Sequence, residues 1–459
     1  MFRDTNVTEL TLPATMTAIG VGGWNNSSIT TLFCEGSTPA TIDAGWAGDA
    51  TIMTAYVPDA AAVTAYGLAD VWKDFAAILV VGNVGDTFSV ADIDYRITSF
   101  GPNIEVEVAG STLATPVIPS TVNNGGITYT VTAIGASAFK NNATITSIEL
   151  PVTVTNIDNA AFQAAANLSA VTFTTTSGIR NIALRGFLQC ASLTNVNEII
   201  SVLETIGGLG TNGNGTFNSC NITGTLTTPS TLTTSTATSI FRANHNMIVA
   251  DLSASTLLTT LAGNFLFDND GLTTVLLPPS LIELSASSVR DNPLLSSIII
   301  PSTVTTYGTN VFKDNFAMLS VEVQNTAPVA IDASVFDSID LSTATLTVPL
   351  GTTGDYDAAA VWTDFGTITD GATTLSTNNL EQELGFSIYP NPTSGVVSIK
   401  SKQLNNTKVS VYDLNGRALF SKSLNGTSSE INISNLASGV YLLKVQDENS
   451  EFVKRIVKQ

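Results

Sequence analysis

The sequence predicts a mainly β protein, in which a repeat solenoid with a parallel sheet is followed by a small antiparallel β-sandwich. Three observations carry this prediction: large apolar residues recur at a nearly constant interval, short segments alternate apolar and polar residues, and the composition changes near residue 380. Self-similarity at a fixed period of about 20 to 50 residues is typical of stacked repeats. The recurring apolar column consists of Phe139, Phe162, Phe187, Phe217, Phe241, Leu266, Val289, Phe312 and Phe336.

Each repeat contains one short strand. Successive members of the apolar column are 23 to 25 residues apart, except for one interval of 30 that contains the Gly- and Asn-rich insertion 207–215. Within a repeat, Ile148 and Leu150 alternate with Ser147 and Glu149. This period of two predicts a strand with one buried face.

A single repeat cannot fold alone. Its apolar side chains, about six or seven of them, stabilise it by about 2 kcal/mol each when buried. Ordering the backbone costs about 1–2 kcal/mol for each of about 23 residues. Neighbouring repeats must supply the missing burial and pair the strand edges, so we expect a solenoid with a continuous parallel sheet.

The repeat template resembles a known class. Residues 134–151 read IGASAFKNNATITSIELP, and residues 261–278 and 284–301 follow the same pattern. This pattern is similar to the BspA-like leucine-rich repeat, which occurs in many bacterial surface proteins. The resemblance covers roughly residues 84–368 and implies a curved solenoid for adhesion or host contact, without an enzyme active site. Residues 206–260 fit poorly, and we expect irregular geometry there.

One aromatic motif occurs twice in the chain. Tyr66 stands six residues before Trp72, and Tyr356 stands six residues before Trp362, in each case within a V-W-x-D-F context. Each copy follows repeat-like sequence, so the motif resembles the unit that closes such arrays. We therefore expect the sequence to begin inside an earlier repeat of a truncated protein, whose signal peptide and further coils are lost.

These patterns divide the chain into five segments. Residues 1–80 are expected to be the end of a truncated array with its closing unit, 81–132 a β-rich cap, 133–368 a second array with its closing unit, 369–385 a linker, and 386–459 a C-terminal module. The module holds nine Lys and Arg against five Asp and Glu, whereas the rest of the chain holds nine against 33. The difference indicates two separately constructed regions.

The C-terminal module has alternating segments and Asn-Gly turns that predict about six or seven short strands in an Ig-like sandwich. Its Tyr-Pro-Asn-Pro turn, Ala-Ser-Gly-Val-Tyr segment and terminal lysines resemble the type A sorting domain of the type IX secretion system. The resemblance implies passage through the outer membrane by the type IX translocon, and removal by a sortase-like peptidase that cuts in the linker. Turn and strand residues of any small sandwich would look similar. The sorting residues implied are Pro390, Asn391, Pro392, Gly439, Tyr441, Lys454 and Lys458.

The composition argues against several other functions. A net charge of −20 with only 18 Lys and Arg argues against nucleic acid as a partner. Cys34, Cys190 and Cys220 lie far apart, and we expect them to be buried and reduced rather than in disulfides or a zinc site. The single histidine, His245, is interpreted as a turn residue. The segment 268–271 hints at a calcium loop but lacks its final Glu, so we expect a repeated polar turn, no metal and no cofactor.

The outward strand positions form a candidate ligand-binding face. Any one of these residues is equally explained by ordinary solvent exposure. We expect a cell-surface or secreted protein that binds a protein or glycan, with no catalytic residues. Two alternatives stay open, namely a fragment of an exported hydrolase whose catalytic domain lies upstream, and a structural spacer without a ligand. The face comprises Ser147, Glu149, Thr172, Thr274, Leu276, Ser297, Ile299, Ser320 and Glu322.

Overall fold

The structure is a computed structural model with two compact units, Met1–Ala372 and Thr373–Gln459. In the part of the chain that it describes, no helix is long and apolar enough to cross a membrane. The described residues are 6–458 without 23–27, 44, 47, 175–177, 202–204, 207–214, 234–237, 372–386, 390–392, 414–416, 438 and 447–450.

The first array is a parallel sheet with a second, shorter pair of strands. Its elements are β1 (Glu9–Leu12), β2 (Ala18–Ile19), β3 (Thr31–Cys34), β4 (Thr41–Ile42), a 3-10 turn (Ala50–Ile52), β5 (Thr54–Val57), α1 (Ala60–Leu68), a 3-10 turn (Trp72–Asp74) and β6 (Ala77–Val80). Strands β1, β3, β5 and β6 pair in that order, and β2 pairs with β4. The first two coils therefore each contribute one long and one short strand, and a helix follows the long strand of the third.

The cap between the arrays consists of β7 (Thr87–Val90), β8 (Ile93–Ile97), β9 (Glu105–Ser111), β10 (Thr121–Asn124) and β11 (Ile127–Ile134). Strands β7, β8 and β9 are antiparallel, whereas β11 runs parallel to β9. Strand β11 also pairs with the first short strand of the second array. The cap and the array consequently share one sheet, which the sequence did not predict.

The second array repeats the two-strand coil. Its long strands are paired parallel within blocks, and its short strands form two further ladders. The elements are β12 (Ser147–Leu150), β13 (Asn156–Ile157), β14 (Ala170–Phe173), β15 (Asn181–Ile182), α2 (Val196–Ile200), β16 (Thr205–Ile206), β17 (Gly224–Thr227), β18 (Met247–Asp251), β19 (Thr260–Leu261), β20 (Thr274–Leu276), β21 (Glu283–Leu284), β22 (Ser297–Ile300), β23 (Thr306–Tyr307), β24 (Ser320–Val323), 3-10 turns (Ala333–Phe336 and Leu341–Thr343), β25 (Thr345–Val348), α3 (Thr353–Asp357), a 3-10 turn (Trp362–Asp364) and β26 (Thr367–Asp370).

The apolar column forms the centre of this array, as predicted. All nine members are buried. Phe162 stacks on Phe187 with ring centroids 5.0 Å apart and an interplanar angle of 2°. Phe187 stacks in turn on Phe217 at 5.4 Å and 5°. The period of 23 to 25 residues is thus the length of one winding of the backbone.

A second buried column lies three residues after the apolar one and was not predicted. Asn244, Asn269 and Asn292 are fully buried, and the backbone N–H of each of the first two donates to the side-chain Oδ1 of the next, at 2.8 and 3.2 Å. In two earlier coils the position holds Cys190 and Cys220, whose thiols donate to backbone carbonyls of the preceding coil at 3.1 Å. The column therefore hydrogen-bonds one coil to the next.

The cysteines are free and buried, which confirms the prediction. Burial raises the pKa of Cys34 and of Cys190 to about 12. Burial likewise raises the pKa of Cys220 well above its ordinary value. The thiols therefore stay protonated at neutral pH and act as small apolar groups with a weak donor.

The solenoid has parallel sheets, as predicted, but they are not continuous. Among the described residues of the array, the long strands fall into three blocks: β12 with β14, β17 with β18 and β20, and β22 with β24, β25 and β26. Helix α2 takes the place of a strand between β14 and β17. Asn195 donates to the carbonyl of Val171 at 2.7 Å and accepts from its N–H at 3.2 Å. Asn197 makes the same pair of bonds to β17, at 2.7 and 3.0 Å. These side-chain amides replace the missing ladder bonds.

The two closing units agree in detail. Trp72 Nε1 donates to Ala40 O, and Trp362 Nε1 donates to Val329 O, both at 2.8 Å. The residues before the tryptophans, Val71 and Val361, have φ of 70° and 71°, which is rare for a β-branched residue. Strand β26 then runs to Asp370, two residues into the predicted linker, and the rest of that linker from residue 372 lies outside the described residues.

The C-terminal unit is antiparallel. Its described residues form fewer and longer strands than predicted: β27 (Ser387–Tyr389), β28 (Val396–Tyr412), β29 (Ala418–Asn432), β30 (Gly439–Gln446) and β31 (Glu451–Lys458). Strand β28 pairs with β27, β29 and β30, and its register with β29 shifts between Lys400 and Thr407. These irregularities divide one long strand into the two shorter alternating stretches that the sequence suggests. Val397, Val409 and Leu443 belong to its own small core.

Candidate functional site

The predicted face lies on the outward side of the long strands. Strand β12 alternates half-buried Ser147 and Glu149 with buried Ile148 and Leu150. Strand β22 likewise exposes Ser297 and Ile299 and buries its other two residues. All nine predicted positions are exposed or half-buried. Their accessibility follows from the pleat, because successive side chains on a strand point to opposite faces.

The three sheet blocks divide this face. In the first block Glu149 is in register with Thr172. Thr274 and Leu276 lie on β20 in the second block. The third block brings four predicted residues together, since Ser297 is in register with Ser320 and Ile299 with Glu322. The predicted residues are thus grouped on three patches rather than along one row.

The third block combines polar and apolar chemistry. Ile299 is 42% exposed. Its cross-strand neighbour Glu322 has one carboxylate oxygen, Oε1, that is buried without a hydrogen-bond partner in the described residues. Burial raises the pKa of Glu322, and a hydrogen bond from Gln324 offsets part of that rise. The third block therefore places an exposed apolar side chain beside a partly dehydrated carboxylate.

A cleft of about 310 Å³, which the sequence did not predict, lies between the first array and the cap. Its walls carry Glu9, Thr31 and Tyr56 from the array and Asn103 and Thr128 from the cap. The volume is at the lower end of the range for small-molecule sites. Residues of the first array and of the cap, which are distant in sequence, meet at this cleft.

An aromatic pair forms one side of this cleft. Phe33 and Tyr56 stack with ring centroids 5.0 Å apart at an angle of 12°, and Phe100 meets Phe33 edge-on at 6.2 Å. Phe33 and Tyr56 are cross-strand partners on β3 and β5. Flat apolar rings beside hydroxyl, amide and carboxylate groups can contact a ligand that is apolar on one face and polar at its edge.

The predicted sorting residues are only partly described. Pro390, Asn391 and Pro392 lie outside the described residues. Gly439 begins β30, and the Tyr441 hydroxyl donates to Ala437 O at 2.8 Å. Lys454 and Lys458 are both half-buried on β31, the last strand of the module. The backbone of Lys458 also forms an isolated β-bridge with Thr393. The hydrogen bond of Tyr441 thus joins strand β30 to the segment just before it.

Family models match both units. The model for the BspA type leucine rich repeat region matches residues 120–248 and 252–356 in six copies, which is more than half of the chain. The chain therefore belongs to the BspA-type leucine-rich repeat proteins. The model for the secretion system C-terminal sorting domain matches residues 387–459. The chain is thus a leucine-rich repeat protein with a type IX secretion sorting tail, which indicates interaction with that machinery and export to the cell surface or the extracellular space.

Individual proteins show more distant similarity. A leucine rich cell surface protein from Faecalibacterium prausnitzii is 20% identical, covers 63% of this chain and 74% of its own, and has a TM-score of 0.39. A leucine-rich repeat protein from Bacteroides ovatus is 19% identical, with coverages of 62% and 76% and a TM-score of 0.38. An endo-acting ulvan lyase from Formosa agariphila is 32% identical over 72 residues, and the chain spans only 14% of that protein.

Proposed function

We propose that this chain is a non-catalytic binding protein of the cell surface or the secreted medium, and that its strand face holds a protein or glycan ligand. The observation that carries the proposal is the third block, where the paired Ser297 and Ser320 adjoin the exposed Ile299 and the half-buried Glu322. Side chains on paired strands are held about 4.8 Å apart and need little ordering on binding. The first two blocks would extend the contact.

The sorting tail supports this function, because a binding face is useful to a cell only where it meets its ligand. We further propose that a sortase-like peptidase removes the tail by cutting within residues 369–385. Lys454 and Lys458 would take part in recognition by the export machinery. Replacement of both lysines by alanine should leave the chain inside the cell envelope, whereas the wild-type protein is recovered at the surface or in the medium.

The binding proposal can be tested with the full chain on glycan and protein arrays, followed by titration of the strongest ligand. The variant Ile299→Lys/Ser320→Lys should weaken binding by about tenfold or more, since it places unpaired charge in the contact. A matched control, Ser302→Lys/Thr305→Lys, adds the same charge at exposed positions outside the strand face. This control should bind like the wild type.

A third variant distinguishes the strand face from the cleft. Tyr56→Ala removes one of the two stacked rings. If Tyr56→Ala abolishes binding while Ile299→Lys/Ser320→Lys does not, the ligand occupies the cleft and the face proposal is wrong. If no ligand is found for any form of the chain, the protein is a structural spacer instead.

A further inference from the structure

Three side chains that commonly ligate metals meet at the polar turn of two successive coils. His245 and Asp270 occupy equivalent positions, each one residue after a buried asparagine of the second column. Asp268 stands two residues before Asp270, in the left-handed region with φ of 66°. Their ligand atoms all lie within 4.8 Å of one another, and His245 Nδ1 is 3.1 Å from Asp270 Oδ2.

The backbone that carries these groups is firmly anchored. Asn244, which precedes His245, is fully buried. Asn269, which lies between the two aspartates, is also fully buried. The N–H of Asn244 donates to Asn269 Oδ1, and the N–H of Asn269 donates to Asn292 Oδ1. Three groups on such a backbone need only side-chain rotation to converge on one point, so metal binding would not require the backbone to move.

We propose that His245, Asp268 and Asp270 together bind a divalent transition-metal ion, with Zn²⁺ as the representative. One imidazole nitrogen and two carboxylates suit such an ion, and three protein ligands leave a position for water. Ca²⁺ prefers six to eight oxygen ligands and gains little from an imidazole. The site lies on the turn rather than on the strand face, so it does not depend on the proposed binding function.

The nearby arginines leave the site open. Arg242 Nη2 is 3.6 Å from Asp268 Oδ2, too far for a good hydrogen bond. Its guanidinium carbon lies 4.6 Å from the centroid of the Phe267 ring, over which it is held. Arg290 pairs with Asp314 at 2.9 Å. Among the residues that the structure describes, no other trio of His, Cys, Asp or Glu side chains converges in this way.

The test uses the full chain without a histidine tag, so that His245 is its only imidazole. Zn²⁺ is titrated by calorimetry and followed by NMR of the single histidine ring, and Ca²⁺ is titrated in parallel. We expect one Zn²⁺ per chain, a shift of the imidazole resonances with Zn²⁺ but not with Ca²⁺, and a higher Tm in the presence of Zn²⁺.

Variants identify the ligands. His245→Ala and Asp270→Asn should each weaken Zn²⁺ binding by at least about tenfold, since losing a direct ligand costs no less than losing a supporting partner. Asp355→Asn removes an equal charge at an exposed distant position and should bind like the wild type. Circular dichroism checks that all variants are folded. The proposal is overturned if Zn²⁺ leaves the imidazole resonances unchanged, or if all three variants bind alike.

Discussion

The carboxyl group of Asp158 is half-buried in the turn after strand β13. Burial raises its pKa above the ordinary value of 3.8. The folded state then binds the proton more tightly than the unfolded state, so this group's contribution is fully favourable below pH 3.8 and is lost as pH rises through the folded pKa. At neutral pH the ionised carboxylate is a net cost to stability.

Asp158→Asn should therefore raise the free energy of unfolding at pH 7, by less than about 1 kcal/mol because water still screens the group. The gain should disappear at pH values below 3.8, where the wild-type carboxyl is protonated in both states. Urea denaturation of both proteins at the two pH values measures the difference. An equal gain at both pH values would show that burial of the charge is not its cause.

Residue patterns in the sequence predicted the positions that are set by burial of apolar side chains. They did not predict the positions that are set by side-chain hydrogen bonds. The apolar column and the outward strand positions follow a regular spacing, and the structure confirms that placement. The second column holds both asparagine and cysteine, which look unrelated in sequence. Asn244 and Cys220 nevertheless both donate to a carbonyl of the preceding coil, at 3.0 and 3.1 Å. What the residues of the second column have in common is a side-chain hydrogen-bond donor, and not a residue type.

At the scale of elements, helix α2 is held between two strands by asparagine side chains. Asn195→Ala should remove both bonds to Val171 and cost about 1–3 kcal/mol of stability, because the backbone N–H and C=O of this buried residue lose their partners. Hydrogen exchange at the Val171 amide should accelerate. Asn195→Asp keeps the acceptor for that amide and should show less acceleration. Equal exchange in the wild type and both variants would show that the Asn195 side chain does not hold helix α2 to strand β14.

The replacement of a strand by helix α2 explains why the break between the first two sheet blocks could not be predicted. The sequence identified residues 206–260 as irregular, but the interruption begins earlier, at Val196–Ile200. A five-residue helix has too little periodic pattern to be distinguished from a strand of similar length. The separation of the first patch from the second coincides with that helix, and so it could be obtained only from the three-dimensional structure.

At the scale of the whole array, each coil is stabilised by its neighbours. Phe187 stacks on both Phe162 and Phe217, so its loss weakens two interfaces at once. Phe187→Ala should cost about 3–5 kcal/mol. The control Phe316→Ala removes a ring that is 63% exposed and should cost less than about 0.5 kcal/mol. Thermal and urea unfolding measure both, and similar losses would show that the stack does not couple the coils.

Sites that join distant parts of the chain were beyond the sequence. Glu9 and Thr128 line the same cleft, and the proposed metal site brings His245 beside Asp270. Neither pair shares a local motif, because the contacts arise from the length of the coils between them. From the sequence we therefore expected no metal, although the polar turn that carries the aspartates was already evident.

The two closing units have a practical consequence for lengthening the protein. In each, the tyrosine and tryptophan donate to carbonyls of the array that they end: Tyr66 to Gly36 and Trp72 to Ala40, and Tyr356 to Asn325 and Trp362 to Val329. Each closing unit thus makes these hydrogen bonds to the last part of its array, and the bonds do not depend on how many coils precede it. Extra coils inserted upstream of Asn325 would therefore end on the same closing unit, which makes the length of the array adjustable.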